Sequence, residues 1–482
     1  PTFMGAIGMT YEQAGHGRAG LGIDNDEGIE LTLVDRMNHH TTTGLSTVEI
    51  SSQNAKKLND EFGTYFNNDQ LKYKSYVLNG DTDRLKTLTN LLDKHEIKWG
   101  YSNSNSASGF YYGTQKNGSI NAENGIVINT NQPKGKMVKA LFEPDAKLSN
   151  PLTYDITSWS LPYAYGLETV ASTSTLQAND MKIMTAINNE PSPKSAGYIS
   201  HWHSMSDATF LAELLQNNIK IRFSEKELSF NNITYSRGSL IITRSDNKKN
   251  KKFDKTVTEI ANQHQRQLVA ATSSFSDNGT DFGSPDVKLV NKQRIAMLKG
   301  NGVSSLSYGS LWHFFETQLK YPVTSIDNDN FRSNTLESFD VLILPETYYW
   351  DALDEDGIQS LKSWIQKGGK IIAMGRSVGL FNEKEGFGIS YNKNDSDADD
   401  SEDDTDSKLQ PYDQREINSV KNFITGSVYK IAIDNTHPMA FGYPNTYYSL
   451  KQGSRSYKFL DKGYNVGYIK GDAISVAGFS GE

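Results

Sequence analysis

A serine in a glycine-rich turn is one place where this chain could perform nucleophilic chemistry. Gly375-Arg376-Ser377-Val378-Gly379 follows a predicted strand and matches G-x-S-x-G, which in hydrolases places a nucleophile on a sharp strand-to-helix turn. A serine there needs a histidine to raise its reactivity. His437 is the only histidine further along the chain, and its Asn-Thr-His-Pro context is typical of a turn. We therefore predict that the segment is noncatalytic and that its glycines serve tight strand-to-helix packing.

Three histidine patterns have spacings that could serve a metal ion. The only His-x-x-Glu begins at His313, inside a predicted amphipathic helix, where such a pair is typical of a hydrogen-bonded or solvated face. His201 and His203 alternate, so both rings could share one face of a strand, but nothing nearby completes a ligand set. His39 and His40 are adjacent and would point apart on a strand. The sequence thus predicts no metal site within this chain.

Glu12 is a lone carboxylate that follows a hydrophobic residue, a threonine and an aromatic residue in the stretch MTYEQAG at 9–15. Together with several later segments, it resembles the end of the catalytic domain, and the part that follows it, in a group of large multidomain bacterial zinc carboxypeptidase-like proteins. The segments that carry the resemblance are 5–13, 17–20, 31–47 (which holds Asp35-Arg36 and His39-His40), 151–155 and 159–163. The resemblance covers most of the chain, although only residues 1–68 would belong to the catalytic fold.

The resemblance implies that Glu12 is the general base of a zinc peptidase, which accepts a proton from zinc-bound water as that water attacks a C-terminal peptide bond. In that family a His-x-x-Glu pair and a later His hold the zinc and lie before the base, but only eleven residues precede Glu12 here. Zinc would therefore be bound by residues outside this chain, and we expect the chain alone to be inactive. His16 is a candidate for contact with substrate. An alternative role for Glu12 as a surface or capping carboxylate stays open.

The expected partners are a peptide or protein substrate and the missing N-terminal part of the peptidase domain, present as an associated fragment. Peptide specificity does not follow from these residues. By resemblance alone, the protein would be secreted, periplasmic or on the cell surface.

Composition limits the classes of function. The 482 residues carry a net charge of −8, which argues against a nucleic-acid partner because such proteins present a basic face. The absence of cysteine excludes disulfides, thiolate metal sites and a cysteine nucleophile. No apolar run approaches the roughly 18 residues that a membrane span requires. The acidic run at 395–406 imitates half of a calcium loop but has Asp400 where the turn needs glycine, so we predict a solvated insertion.

The elements that would position these residues indicate an α/β protein of several domains. Strand, helix, strand and a hairpin-like strand recur in the same order in 73–145 and 196–275, which predicts an internal duplication of small α/β modules. Alternating strands and helices at 292–390 predict a doubly wound, flavodoxin-like layer that resembles the glutamine-amidotransferase-like superfamily. The predicted domains are the end of the carboxypeptidase-type domain (1–68), a small module (69–150), a connector (151–195), a second module (196–290) and the amidotransferase-like domain (291–482) with its acidic insertion (392–410).

A second hypothesis from a different class is a noncatalytic binding or scaffold protein. The peptidase fold would then be a relic, and the aromatic-rich modules would bind peptides or glycans. The chain contains 25 Tyr, 21 Phe and 6 Trp, which would supply rings for such contacts.

Overall fold

The fold is a mixed α/β arrangement with several separate sheets. The computed structural model describes residues 2–12, 20–146, 153, 155–179, 186–331, 333–348, 353–392, 411–420, 424–471 and 474–480. The chain divides into two compact units, Pro1–Ala146 with Trp159–Lys182, and Lys147–Ser158 with Ile183–Glu482. No helix in these described ranges is long and apolar enough to cross a membrane.

The first unit begins with a short hairpin and two helices. These elements are β1 (Gly22–Asp24), β2 (Glu30–Thr32), α1 (Leu33–Gln53) and α2 (Ala55–Tyr65). Residues 29–34 alternate in the sequence like a strand, and a helical apolar spacing is recognisable only from Thr43 onward, which predicts a strand to Val34 and a helix from Thr43. The structure corrects both boundaries, because α1 already begins at Leu33. The cause is a capping box, in which the Thr32 hydroxyl accepts from the Asp35 amide and the Asp35 carboxylate accepts from the Thr32 amide. Hydrogen bonds from Thr32 also lower the pKa of Asp35.

The rest of the first unit is a seven-stranded antiparallel sheet with three helices. The strands are β3 (Ser75–Asn79), β4 (Gly100–Ser102), β5 (Ser106–Tyr111), β6 (Lys116–Asn121), β7 (Ile126–Asn129), β8 (Glu168–Ser172) and β9 (Ala178–Asn179), and the helices are α3 (Thr82–Lys94), α4 (Gly135–Phe142) and α5 (Leu161–Tyr165). The strand order is β6-β5-β8-β3-β7-β4-β9. The central strand β3 is buried on both faces, as its continuous apolar run indicates.

The second unit begins with a five-stranded antiparallel sheet and a small three-stranded one. The elements are β10 (Gly197–Ser200), α6 (Met205–Gln216), β11 (Arg222–Ser224), β12 (Leu228–Phe230), β13 (Ile233–Tyr235), β14 (Leu240–Thr243), α7 (Phe253–Gln263), β15 (Val269–Ala271), β16 (Asn278–Gly279) and β17 (Val287–Leu289). The larger sheet has the order β15-β10-β14-β11-β17, and the smaller one has the order β13-β12-β16. The order β8-β3-β7-β4-β9 in the first unit is therefore repeated strand for strand in the second.

A four-stranded parallel sheet follows in the order β19-β18-β20-β21. Its elements are β18 (Ile295–Lys299), α8 (Ser305–His313), a π-helical turn (Phe314–Leu319), β19 (Val323–Asp327), α9 (Ser333–Leu336), β20 (Val341–Leu344), α10 (Glu355–Gln366) and β21 (Lys370–Ala373). The sequence predicted β18, β20 and β21 but missed β19. Only Ile326 of β19 is buried, so this edge strand lacks the apolar run that reveals its neighbours.

A three-stranded antiparallel sheet completes the described part of the second unit. Its elements are α11 (Arg415–Val420), β22 (Ser427–Ile433), β23 (Thr446–Lys451) and β24 (Gly467–Ile469), with β22 in the centre. The predicted acidic insertion at 395–406 lies outside the described residues.

Candidate functional site

Glu12 lies at the end of an irregular segment that is attached to α1. The preceding residue, Tyr11, makes a hydroxyl–hydroxyl hydrogen bond of 2.5 Å with Thr47, and the Thr47 hydroxyl donates to the Thr43 carbonyl at 2.9 Å. Glu12 itself is exposed and makes no hydrogen bond or ion pair with another described residue. Its carboxylate is therefore neither a helix cap nor a salt-bridge partner within this part of the chain. His16 falls in 13–19, outside the described residues.

A groove of about 980 Å³ lies beside the segment that leads to Glu12. One wall is formed by residues 5–9 and the other by α1 and α2, through apolar side chains such as Ile50, Leu58 and Phe62. Met9 lines the groove, whereas Glu12 lies three positions further along and is outside its lining. The groove has the volume of a small-molecule site, for which about 300–1,000 Å³ is usual.

The two helices of this region present apolar side chains to solvent. Arg36 is the only buried residue among the described residues between 2 and 66. Exposed apolar residues of α1 include Leu33, Val34, Met37, Leu45, Val48 and Ile50. A helix normally buries its apolar positions against a partner element, and none of the described residues covers this face of α1.

Asp35-Arg36 and His39-His40, which carry part of the family resemblance, have structural or exposed positions. The Arg36 guanidinium donates to the Gly20 carbonyl at 2.5 Å and so ties α1 to the residue that precedes the hairpin. His39 and His40 lie on α1, not on a strand, which corrects the sequence interpretation. No group of histidine, aspartate and glutamate side chains within the described ranges could hold a metal ion.

The remaining metal candidates are also not arranged as ligands. His313 accepts or donates a hydrogen bond with the Thr317 hydroxyl at 3.1 Å, and both His313 and Glu316 are exposed. His201 and His203 do lie together, but in the loop after β10, and their rings stack with centroids 4.9 Å apart. His201 stacks in turn on Tyr235 at 4.6 Å. Burial, and then the neighbouring His203, lower the pKa of His201, which therefore stays neutral at physiological pH.

Ser377 is fully buried, and its hydroxyl donates to the Pro345 carbonyl. The left-handed position two residues after the end of β21 is occupied by Gly375, with φ +55°, so the strained site of a nucleophile elbow has no side chain. An added Cβ there would lie 3.2 Å from the Glu346 carboxylate. His437 instead accepts from the Met439 amide at 3.2 Å and packs against Tyr464. Ser377 and His437 are thus not arranged as nucleophile and base.

A second cleft, which the sequence analysis did not identify, lies in the second unit. His203, in the loop 201–204, lines one side of the cleft. Asp207 fixes this loop, because it accepts from the His203 amide at 2.9 Å and the Ser204 amide at 3.0 Å. Arg266 donates to the other oxygen of the buried Asp207 carboxylate at 3.1 Å and neutralises it. The cleft has a volume of about 280 Å³ and is lined by His203, Glu227, Ser236, Arg237, Asn435, Gly442, Tyr443 and Pro444.

The cleft was missed because its walls come from five separate segments of the chain. Neither Glu227, Arg237 nor Tyr443 belongs to a recognisable local pattern. The one local pattern near the cleft is His-Trp-His at 201–203, and its alternating histidines indicate a metal pair more readily than a residue that lines a cleft.

Comparisons with known proteins do not identify the chain. No protein-family profile and no curated protein matches it. Among solved structures, a ThuA-like protein from Bacteroides uniformis is similar at 12% sequence identity and a TM-score of 0.22, over 34% of this chain. The match spans 60% of that protein's length. At this TM-score the likeness supports no statement about fold or function.

Proposed function

We propose that this chain is the C-terminal part of a zinc metallocarboxypeptidase-like protein and that Glu12 is the general base for hydrolysis of a C-terminal peptide bond. β1, β2, α1 and α2 would be the closing elements of the peptidase domain. The two related antiparallel modules and a glutamine-amidotransferase-like, doubly wound domain around the parallel sheet would follow as accessory parts. Substrates would be peptides or proteins, and the protein would act outside the cytoplasm.

The observation that carries the proposal is the combination of an unpaired Glu12 with an apolar face beside it. A general base must keep its carboxylate free to accept a proton, and Glu12 makes no hydrogen bond or ion pair with the described residues. The exposed apolar positions of α1 need a covering partner, and the rest of a peptidase domain would supply one. The hydrogen bond between Tyr11 and Thr47 holds the two features together.

Zinc does not fit the described residues of this chain, because they contain no cluster of metal-binding side chains. The ion would be held by the remainder of the peptidase domain, and the chain by itself would be inactive. The role left to this chain is to present the Glu12 carboxylate and to provide the helical surface against which the metal-holding part packs.

The test is Glu12→Gln in the protein that carries the metal-holding part, assayed for zinc content and for release of a C-terminal amino acid from a peptide. Loss of a general base lowers kcat by about 10²–10⁴-fold, whereas zinc content should be unchanged because glutamine leaves the metal ligands intact. The matched control is Glu49→Gln, which removes another exposed carboxylate of the same region and should leave kcat unchanged. A protein without zinc, or an active Glu12→Gln variant, would contradict the proposal.

A further inference from the structure

We propose that the cleft formed by His203, Glu227, Arg237, Asn435 and Tyr443 binds one residue of a neutral carbohydrate. The cleft belongs to the second unit and takes no part in the hydrolysis proposed above. The two proposals can therefore fail independently of each other.

The floor of the cleft is a tightly packed scaffold. The Trp202 indole donates to the Phe441 carbonyl at 3.1 Å and joins the loop after β10 to the loop before β23. Gly238 has φ +90°, and a Cβ added there would lie 2.7 Å from the Trp202 ring and 2.8 Å from Phe441. Only glycine permits this close approach. The backbone next to Arg237 and Tyr443 is consequently packed in place before any ligand arrives, which reduces the entropic cost of binding.

The rim carries hydrogen-bonding groups that the fold itself does not use. The side chains of Glu227 and Arg237 are exposed and make no hydrogen bond or ion pair with other described residues. Asn435 uses only its amide nitrogen, which donates weakly to the Tyr443 carbonyl at 3.4 Å. Planar carboxylate, guanidinium and amide groups bind two neighbouring hydroxyl groups at once, which is the arrangement that a sugar ring offers.

An aromatic ring stands beside these polar groups. Tyr443 exposes 45% of its surface, and Tyr447 packs against it edge to face with ring centroids 5.7 Å apart. The ring of Tyr443 is thus supported from one side and accessible from another. The C–H face of a pyranose can stack on such a ring while its hydroxyls reach the polar rim.

The charge and the size of the cleft argue against phosphate, metal ions and larger molecules as its ligand. The positive charge of Arg237 is offset by the negative charge of Glu227, which also lines the cleft. Asp434 lies near enough to Arg237 for these two side chains to interact electrostatically. The cleft therefore lacks the excess of positive charge that a phosphate requires. The described residues form no cation site. The volume of about 280 Å³ suits one sugar residue and is small for a larger ligand.

The test is titration of the chain with maltotriose, cellotriose and triacetylchitotriose, followed by calorimetry and by saturation-transfer NMR. We expect at least one of the three to bind. Arg237→Ala should weaken that binding by about 10- to 100-fold, the equivalent of a hydrogen bond to a charged group. Arg237→Lys should weaken it as well, because an ammonium group cannot replace the planar fork. Tyr443→Ala should remove the saturation-transfer signals of the sugar C–H protons.

Two matched controls separate the cleft from the general surface. Arg415→Ala and Tyr412→Ala remove an exposed arginine and an exposed tyrosine that lie outside the cleft, and both should bind sugar normally. Circular dichroism checks that each variant is folded, which is expected because the substituted side chains are exposed. Inorganic phosphate and glycylglycine serve as competing probes. Absence of binding for all three sugars, full binding by Arg237→Ala, or displacement of the sugar by phosphate or dipeptide would overturn the proposal.

Discussion

The seven-stranded and five-stranded antiparallel sheets share one feature, a side-chain amide that hydrogen-bonds to both backbone groups of a lysine. In the first, Gln132 accepts from the Lys98 amide at 2.7 Å and donates to the Lys98 carbonyl at 2.9 Å. In the second, Asn247 accepts from the Lys220 amide at 2.8 Å and donates to the Lys220 carbonyl at 2.9 Å. Each bridge satisfies both backbone groups of the lysine that precedes an inner strand of its sheet.

The helices that precede these bridges also end in the same way. Glu96 and Asn218 both adopt the left-handed conformation, with φ 56°. The next residues, Ile97 and Ile219, donate to the carbonyls of Leu92 at 2.9 Å and Leu214 at 3.0 Å, and all four of these apolar residues are buried. Identical strand order, helix ends and amide bridges in two stretches of chain support the inference of an internal duplication.

The two sheets differ at the places where the second one forms its cleft. The hairpin β5–β6 pairs with β8 and widens the first sheet, whereas β12–β13 pairs with β16 in a sheet of its own. The turn after β13 therefore brings Ser236 and Arg237 to the cleft. After β3, the chain enters α3 through Gly80 and the N-cap Asp81, but after β10 it passes through the longer loop 201–204. A shared scaffold thus acquires a cleft through its loops.

The largest expected difference in stability between the sheets follows from substituting the aspartate that stabilises each of these two turns. Asp207→Ala should destabilise the second sheet by about 3–5 kcal/mol, because it removes the buried carboxylate that pairs with Arg266 and accepts from the His203 and Ser204 amides. Asp81→Ala, its counterpart in the first sheet, should cost about 1 kcal/mol as an ordinary lost N-cap. Amide hydrogen exchange, read peptide by peptide, reports the stability of each sheet. Equal losses of stability in the two variants would contradict this prediction, because they would show that the two aspartates contribute equally to their sheets.

A smaller effect should follow from Gly238→Ala, which targets the cleft but not the shared bridge. The added methyl group clashes with Trp202 and Phe441 at a left-handed position, so we expect a loss of about 1–3 kcal/mol and weaker sugar binding. The control is Gly283→Ala, whose Cβ would meet nothing within 4 Å and which should stay within about 0.5 kcal/mol of the wild type. If amide hydrogen exchange in the 201–204 peptide is unchanged in Gly238→Ala, the packing of Gly238 against Trp202 does not make the floor of the cleft rigid.

The smallest expected effect is a difference in how the stability of each sheet changes with pH: acid should destabilise the second sheet and stabilise the first. Hydrogen bonds from Arg244 lower the pKa of Asp254 at α7, so this carboxylate stabilises the folded state above about pH 4 and the stabilisation is lost as pH falls below that value. Burial raises the pKa of Glu143 after α4, so its ionisation opposes folding and the first sheet gains stability as pH falls through the raised pKa.

Exchange protection factors of the α4 and α7 peptides, corrected for intrinsic rates between pH 3 and 7, measure this difference. Asp254→Asn should flatten the acid loss at α7, and Glu143→Gln should flatten the gain at α4. If the α4 and α7 peptides show the same change of protection with pH in both variants, then Asp254 and Glu143 do not cause the opposite responses.

The parts of the fold that the sequence revealed are those with local signals. Buried strands such as β3, β14 and β20 appeared as apolar runs, and the order of strands and helices in the two modules was recognisable because each element is continuous in the chain. The start of α1 was missed because an aspartate, and not the more usual glutamate, completes the capping box at Thr32. The edge strand β19 was missed because a half-exposed strand has few apolar residues to mark it.

For the candidate sites, the sequence by itself determined which side chains exist, and hence that a free carboxylate at residue 12, a serine turn and paired histidines had to be considered. Only the tertiary structure decided their environment. It left Glu12 exposed, buried Ser377 against a backbone carbonyl, stacked His201 on Tyr235, and joined Glu227, Arg237 and Tyr443 in one cleft. Burial and convergence depend on contacts between residues far apart in the chain, and such contacts leave no periodic trace in the local sequence.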